Sequence, residues 1–284
     1  MTSVLLLGFG AIGRHVAQLL SPELDSGALS LTALVSDRTK HVDRPDHGAE
    51  VVDVLPPPRL FSGFDVIVEC AGVPAAAQFG PAVIASGRPL VLTSVGALAD
   101  PETRSSLLAG PGRLHVTNGA IGGLDVLEAA AQAGGLDTAR LTTSKEATGL
   151  IRPWMSETEA DRLRALRPDD GPLTVFTGNP AEAIEKFPAN VNIAVALAWA
   201  TRGLPQSPAD PATDADLLAA ALKRVRVDLV AVAGQTQSAH RIRAAGSAGE
   251  FTFDIRSTPS PENPATSGLT ALSVTRTLRQ VIAQ

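Results

Sequence analysis

Gly8-Phe9-Gly10-Ala11-Ile12-Gly13 has the G-x-G-x-x-G spacing of an anion cradle. The apolar run Val4-Leu5-Leu6-Leu7 before it predicts a buried strand, and residues 14–20 after it predict a helix. In that setting the first glycine permits a tight turn and the second admits a pyrophosphate to the backbone. The third lets the helix pack close to the strand, with its N-terminus facing the anion. The ligand such a turn takes is a nicotinamide or flavin dinucleotide. A glycine-rich turn that merely packs is the plainer alternative.

Other side chains could complete such a site. Asp37 lies 24 residues after Gly13, where a second strand ends. A carboxylate there binds ribose hydroxyls and favours NAD. Arg38 and Lys40 beside it could accommodate the extra phosphate of NADP, and a solvated turn carboxylate is the bland reading. Cys70 is the only thiol. It could be a nucleophile, but at the end of a strand it is better read, with Ala71 and Gly72, as lining the cofactor. Ser94, Val95 and Gly96 stand at another strand end. Of five histidines, His240 alone falls in a strand of the second half of the chain, where substrate chemistry belongs. Asn190 and Asn192 precede an apolar helix. They could cap it or bind a carboxamide or carboxylate.

The chain has no tyrosine, which excludes a Tyr-Lys hydride-transfer pair. It has no H-E-x-x-H and no paired cysteines, so no metal site is expected. A net charge of −5 without a basic stripe argues against nucleic acid. No apolar run approaches a membrane span. The N-terminus enters a strand with no basic region before it, so no signal peptide is expected. A cytoplasmic enzyme acting on a small molecule, with homo-oligomers expected, fits these bounds.

The elements that must position these groups alternate in the first part. Strands are predicted at residues 30–35, 51–54, 65–69, 89–93 and 115–117, and a helix at 74–86. Alternation implies right-handed crossovers and a doubly wound parallel sheet of Rossmann type, with ligands at the carboxyl ends of the strands. The character changes near residue 119. A helix at 124–132, strands at 141–144, 173–177, 225–232, 240–245 and 251–255, and an apolar helix at 191–200 predict a second, α+β domain. The last three strands are expected to pair antiparallel. Residues 204–214 and 258–264 read as loops. A helix at 269–282 is expected to return to the first domain. The division is therefore 1–118 with 264–284 for the dinucleotide and 119–263 for substrate and catalysis.

Five segments together resemble the L-aspartate dehydrogenase family. They are Ser94-Val95-Gly96-Ala97-Leu98, Gly119-Ala120-Ile121-Gly122-Gly123-Leu124-Asp125, Phe187-Pro188-Ala189-Asn190-Val191-Asn192, His240-Arg241-Ile242, and Pro259-Ser260-Pro261-Glu262-Asn263-Pro264 followed by Thr266-Ser267. The resemblance spans nearly the whole chain in order. It implies a Rossmann domain completed by the C-terminal helix, an inserted α+β domain, and oxidation of aspartate to iminosuccinate with NAD or NADP, often in service of NAD biosynthesis. It puts the catalytic histidine on His240 and cofactor contacts on the glycine turn, Ala120 and the Asn190/Asn192 segment. One departure is that family members often carry Lys-Pro-Pro where this chain reads Lys145-Glu146-Ala147. Residues 151–170 are also more charged than expected.

The expected chemistry follows from hydride loss at an amino-bearing carbon. The substrate ammonium must first lose a proton, and a histidine near its ordinary pKa of about 6.5 suits that task. In reverse the site would aminate oxaloacetate. A dicarboxylate needs cations, for which Lys145, Arg152 and Arg241 are the candidates. A dehydrogenase of another amino or imino acid, or a dinucleotide sensor without turnover, are the alternatives.

Overall fold

The computed structural model describes residues 1–54, 60–187, 192–205, 212–260 and 262–284. They form two compact units, Met1–Gly119 with Ser260–Gln284 and Ala120–Pro259.

In the first unit β1 (Thr2–Leu7) runs into the glycine turn and α1 (Ala11–Leu19). There follow α2 (Ser21–Asp25), β2 (Leu29–Leu34), β3 (Glu50–Val52), β4 (Val66–Glu69), α3 (Val73–Ala85), β5 (Leu90–Leu92), α4 (Pro101–Leu108) and β6 (Leu114–Val116). The six strands are parallel in the order β3-β2-β1-β4-β5-β6. This is the doubly wound arrangement in which the chain reverses direction between β1 and β4, and the crevice at that switch point is where ligands bind. Val4, Leu5 and Leu6 are wholly buried, as a central parallel strand covered on both faces requires.

In the second unit come α5 (Leu124–Gln132), β7 (Thr138–Glu146), α6 (Glu157–Ala165), β8 (Leu173–Gly178), α7 (Pro180–Lys186), α8 (Asn192–Ala200), α9 (Asp214–Arg224), β9 (Arg226–Val232), β10 (Ser238–Gly246) and β11 (Gly249–Ser257). The mixed sheet has the order β11-β10-β7-β9-β8. Only β10 and β11 of the last three strands pair with each other. β9 is separated from them by β7, to which it runs parallel. The expected three-strand antiparallel ladder is therefore corrected: the long excursion through α6 to α9 lets a later strand enter beyond β7. Along β7, β9 and β10 the side chains alternate. Leu141, Thr143, Val227, Leu229, His240 and Ile242 are buried, whereas Arg140, Arg241 and Arg243 are exposed on the opposite face. The apolar helix α8 packs against β7 and against α5 and α9.

The return segment expected as loop carries two short paired strands, β12 (Pro259–Ser260) and β13 (Asn263–Ser267). The terminal helix α10 (Leu269–Ile282) then packs on α1 and β4. It buries Ala271, Val274, Thr275 and Leu278, a single stripe at helical spacing that joins the core of Val4, Leu6, Val16 and Ala17.

Leu278→Ala should lower unfolding free energy by about 2–5 kcal/mol, as for a large-to-small change in a packed core. Leu272→Ala, on the exposed side of the same helix at 47% exposure, should change it by about 0.5 kcal/mol or less. Equal losses in denaturant melts would contradict this packing.

Candidate active site

The three glycines of the turn are required for different reasons. Gly8 has φ +92°, and a Cβ there would stand 2.7 Å from Ala71. A Cβ on Gly13 would stand 2.5 Å from the Gly8 carbonyl oxygen. Both glycines serve contacts within the protein. A Cβ on Gly10 meets nothing within 4 Å, and Gly10 has φ −75° and ψ −160°, which any residue adopts. Gly10 therefore has no reason inside the protein to lack a side chain. The space a methyl would fill is where a ligand comes close to the backbone.

Gly8, Phe9 and Gly10 line a hollow of about 710 Å³ with Cys70, Ala71, Ser36, His41, Asp53 and Gln78. Gly10 is the N-cap of α1 and no side chain caps it, so the N–H groups of Ala11, Ile12 and Gly13 at the helix start are placed for an anion. The residues present thus fit the pyrophosphate end of a dinucleotide. Cys70 Sγ lies 3.7 Å from Thr93 Oγ1, and burial together with the charge of Glu69 pushes the thiol pKa up. A thiolate nucleophile is disfavoured there and a lining role remains.

Asp37 is not part of the hollow's wall. Its carboxylate caps a short turn, accepting from Thr39 N at 3.0 Å and from Thr39 Oγ1, and lies 3.5 Å from Lys40 Nζ. Arg38 is exposed in the same turn. The wall is formed instead by Ser36 and by His41. Burial and the neighbouring charges of Arg14 and Arg44 lower the His41 pKa. His41 reaches the hollow only because residues 38–41 close into a helical turn, which sequence spacing does not reveal.

Glu69 is the other residue missed. It is wholly buried at the end of β4. Its carboxylate accepts hydrogen bonds from Ala71 N and Gly72 N, each at 2.8 Å, and from Ser94 N at 2.8 Å and Ser94 Oγ at 3.0 Å. Burial pushes its pKa up, against the pull of these donors. One side chain thereby ties the loop after β4 to the loop after β5. Ser94 is spent on that contact, and Val95 and Gly96 are buried behind it. These three shape the strand ends through the backbone.

In the second unit His240 is 4% exposed and directly opposite Thr143 in the β7–β10 ladder. Its Nδ1 lies 3.1 Å from Thr143 Oγ1. Lys145 follows two residues after Thr143, on the same face of the strand. Burial, and then the charge of Lys145, drive the His240 pKa down to about 4. Burial and the charge of Arg152 in turn lower the Lys145 pKa. His240, Lys145 and Arg152 therefore form an electrostatically linked series. Arg152 donates to the carbonyl oxygens of Gly149 and Ile151, and its guanidinium sits 5.6 Å from the Phe187 ring centroid. The ordinary histidine pKa expected from sequence is corrected: the imidazole is neutral well below pH 6.5. Its folded pKa lies below the unfolded one, so its burial is tolerated above about pH 6.5 and costs stability as pH falls towards 4.

Arg241 does not join this series. Strand alternation turns it to the opposite face, where it is exposed and bonded to Asp254. That open face carries a hollow of about 860 Å³ lined by Thr142, Ser144, Gln235, Arg241 and Asp254, with His240 also at its wall. The His240 ring, bonded to Thr143, belongs to the covered face. Ala120 is buried at the start of this unit. Asn192 is the half-buried first residue of α8, and Asn190 lies outside the described residues.

The family model described as "Aspartate dehydrogenase, C-terminal" matches residues 125–281. The L-aspartate dehydrogenase of Ruegeria pomeroyi is 34% identical over 281 residues, 98% of this chain and 91% of that protein. The chain belongs to the L-aspartate dehydrogenase family. The L-aspartate dehydrogenase of Pseudomonas aeruginosa is 31% identical over 291 residues, covering 98% of this chain and 97% of that one. The model described as "Homoserine dehydrogenase, NAD binding domain" matches residues 8–113, the stretch that holds the glycine turn and the parallel sheet. In fold the chain is similar to the crystal structure of aspartate dehydrogenase from Thermotoga maritima, with TM-score 0.68 and 23% identity over 99% of this chain and 97% of that one.

Gly10→Ala should fold with wild-type stability yet bind NADH at least roughly tenfold more weakly, the effect of about 1.4 kcal/mol. Gly13→Ala should lose stability outright, because the Gly8 carbonyl must move. Calorimetric binding and thermal melts of both variants check the assignment. Unchanged NADH affinity in Gly10→Ala would remove the turn from the cofactor site.

Proposed function

We propose that the chain oxidises L-aspartate to iminosuccinate with NAD, tolerating NADP, and in the reverse sense aminates oxaloacetate. The observation that carries this reading is His240, held by Thr143 and electrostatically coupled to Lys145 and Arg152, in a member of this family. The first unit holds the dinucleotide and the second carries the substrate chemistry. The reading includes a cytoplasmic homo-oligomer, whose mass sedimentation velocity measures. No helix among the described residues is long and apolar enough to cross a membrane.

The bound nicotinamide supplies the hydride acceptor. His240 prepares the substrate: the aspartate ammonium must give up a proton before its nitrogen lone pair can form the C=N bond. A base at Nε2 requires the ring proton on Nδ1, which then donates to the Thr143 hydroxyl oxygen. A buried imidazole with a pKa of about 4 is neutral at working pH. Its weakness as a base is offset when substrate binds. Two carboxylates beside Lys145 and Arg152 favour every nearby cationic form, imidazolium included. Lys145 and Arg152 are the carboxylate partners in this reading. Arg241 is left out, because it faces the other side of the sheet. Asp37 is kept in this reading as the ribose carboxylate for its place after β2, although its carboxylate also holds Thr39 and lies near Lys40; the neighbouring cation fits tolerance of a 2′-phosphate. Ala120, Asn190 and Asn192 remain in the reading as cofactor contacts on the strength of the family resemblance.

NAD(P)H formation over a panel of amino acids, paired with the oxo-acid plus ammonia assay, tests the substrate. L-Aspartate should exceed L-glutamate in kcat/KM by about 10–200-fold, the discrimination one methylene supplies. Preference for another amino acid would keep the hydride chemistry and discard aspartate, and NADH binding without any turnover would make the chain a sensor. His240→Asn should lose about 10²–10⁴ in kcat while binding NADH nearly normally. Thr143→Val, which keeps shape and removes the hydroxyl, should lose roughly tenfold in kcat, about the worth of one hydrogen bond. Near wild-type turnover in folded His240→Asn would remove it from catalysis.

A further inference from the structure

We propose that Arg14 and Glu262 form a positioning pair that sets the direction of the Gly10 N–H, and through it the grip of the glycine turn on the dinucleotide pyrophosphate. The proposal rests on the reading of the turn as the cofactor site. Arg14 directly follows Gly13 in α1 and is buried. Its guanidinium makes two kinds of contact. Nε donates to Glu262 Oε2 at 2.8 Å, with Nη2 on the same oxygen, and Nη1 donates to the Phe9 carbonyl at 3.2 Å.

The second contact matters for function. In a trans peptide the C=O and N–H point in opposite directions. Holding the Phe9 oxygen against the guanidinium therefore turns the Gly10 N–H away from it. The cavity side of Gly10 is the open side, where a Cβ would touch nothing. An arginine so buried needs an anion, and Glu262 supplies it. Glu262 sits between β12 and β13, in the segment by which the chain re-enters the first unit. Its side chain is 38% exposed, so its removal leaves no void in the core. A lysine at position 14 carries the same charge but lacks the fork needed to hold the carboxylate and the Phe9 carbonyl together. The pair binds no substrate and touches no reacting atom; it acts on the cofactor through the Phe9–Gly10 peptide.

Arg14→Lys, Glu262→Gln and the double variant should be measured by calorimetric binding of NADH and of ADP, by thermal melts, and by steady-state kinetics. Each single variant should weaken both ligands roughly tenfold, about the loss of one charge-assisted hydrogen bond. The KM for NAD should rise in parallel. kcat at saturating NAD and the KM for aspartate should stay near wild type. The double variant should be little worse than either single one, since both break one unit. Wild-type NADH and ADP affinities in both single variants, whatever their melting temperatures, would overturn the proposal. Gly10→Ala measured alongside separates the two failures. If it weakens binding while the pair variants do not, only the positioning role falls. If it too binds normally, the glycine-turn reading itself falls.

Discussion

Positive charge removed from water is the constraint around which the second unit is arranged. Its sheet is covered on one face by α8, which is apolar almost throughout. The same face carries His240 and Thr143, with Lys145 two residues further on. Burial disfavours the charged forms of His240 and Lys145, and each cation also disfavours its neighbour's. In the function proposed above, a bound dicarboxylate would favour these charged forms. The opposite face of the sheet shows the contrast. Arg140 meets Asp228 and Arg241 meets Asp254, so the cations there already have carboxylates. The covered face instead holds Lys145 largely out of water, where its charge bears on His240.

The first unit solves a different problem, which is to present backbone groups to an anion. Close packing between Gly13 and the Gly8 carbonyl seats α1 against β1, and Glu69 collects the loops after β4 and β5 onto one carboxylate. Rigid strand ends then leave Gly10 open on the cavity side. In the function proposed above, the two units divide the labour. One supplies orphan helix N–H groups and a shaped hollow, and the other supplies a titrating group and cations. The family match from residue 125 to 281 runs through the second unit and on into α10.

Much of this was legible in the sequence because it depends on local patterns. The strand, glycine turn and helix at the N-terminus and the spans of α5 and α10 are period and turn-chemistry signals, and they fold as read. Strand order was not legible in the same way. β7 separates β9 from β10 because of pairings distant in sequence, and no local rule decides that. The site divides likewise. His240 could be singled out by residue type and position, but its partner Thr143 and its depressed pKa depend on register. Arg241 looked suitable as a neighbour of His240, yet one residue along a strand is the other side of the sheet. Glu69 was read as a strand residue because nothing in its local spacing announces four donors converging on it. The helices α4, α6, α7 and α9 are hard to tell from loops in sequence, because their segments are charged or carry proline. Ser156, Asn179 and Thr213 each form a capping box at the start of α6, α7 and α9, respectively, a helix-start signal these segments carry in sequence.

The coupling of His240 to a dicarboxylate is tested most directly by the imidazole itself. Proton titration by NMR, with the His240 resonance assigned by its loss in His240→Asn, gives the pKa in the free protein and with NADH and succinate bound. The account predicts a value near 4 in the free protein and a clear upward shift when the dicarboxylate is present. A free-protein value near the ordinary histidine pKa of about 6.5, unmoved by succinate, would contradict it.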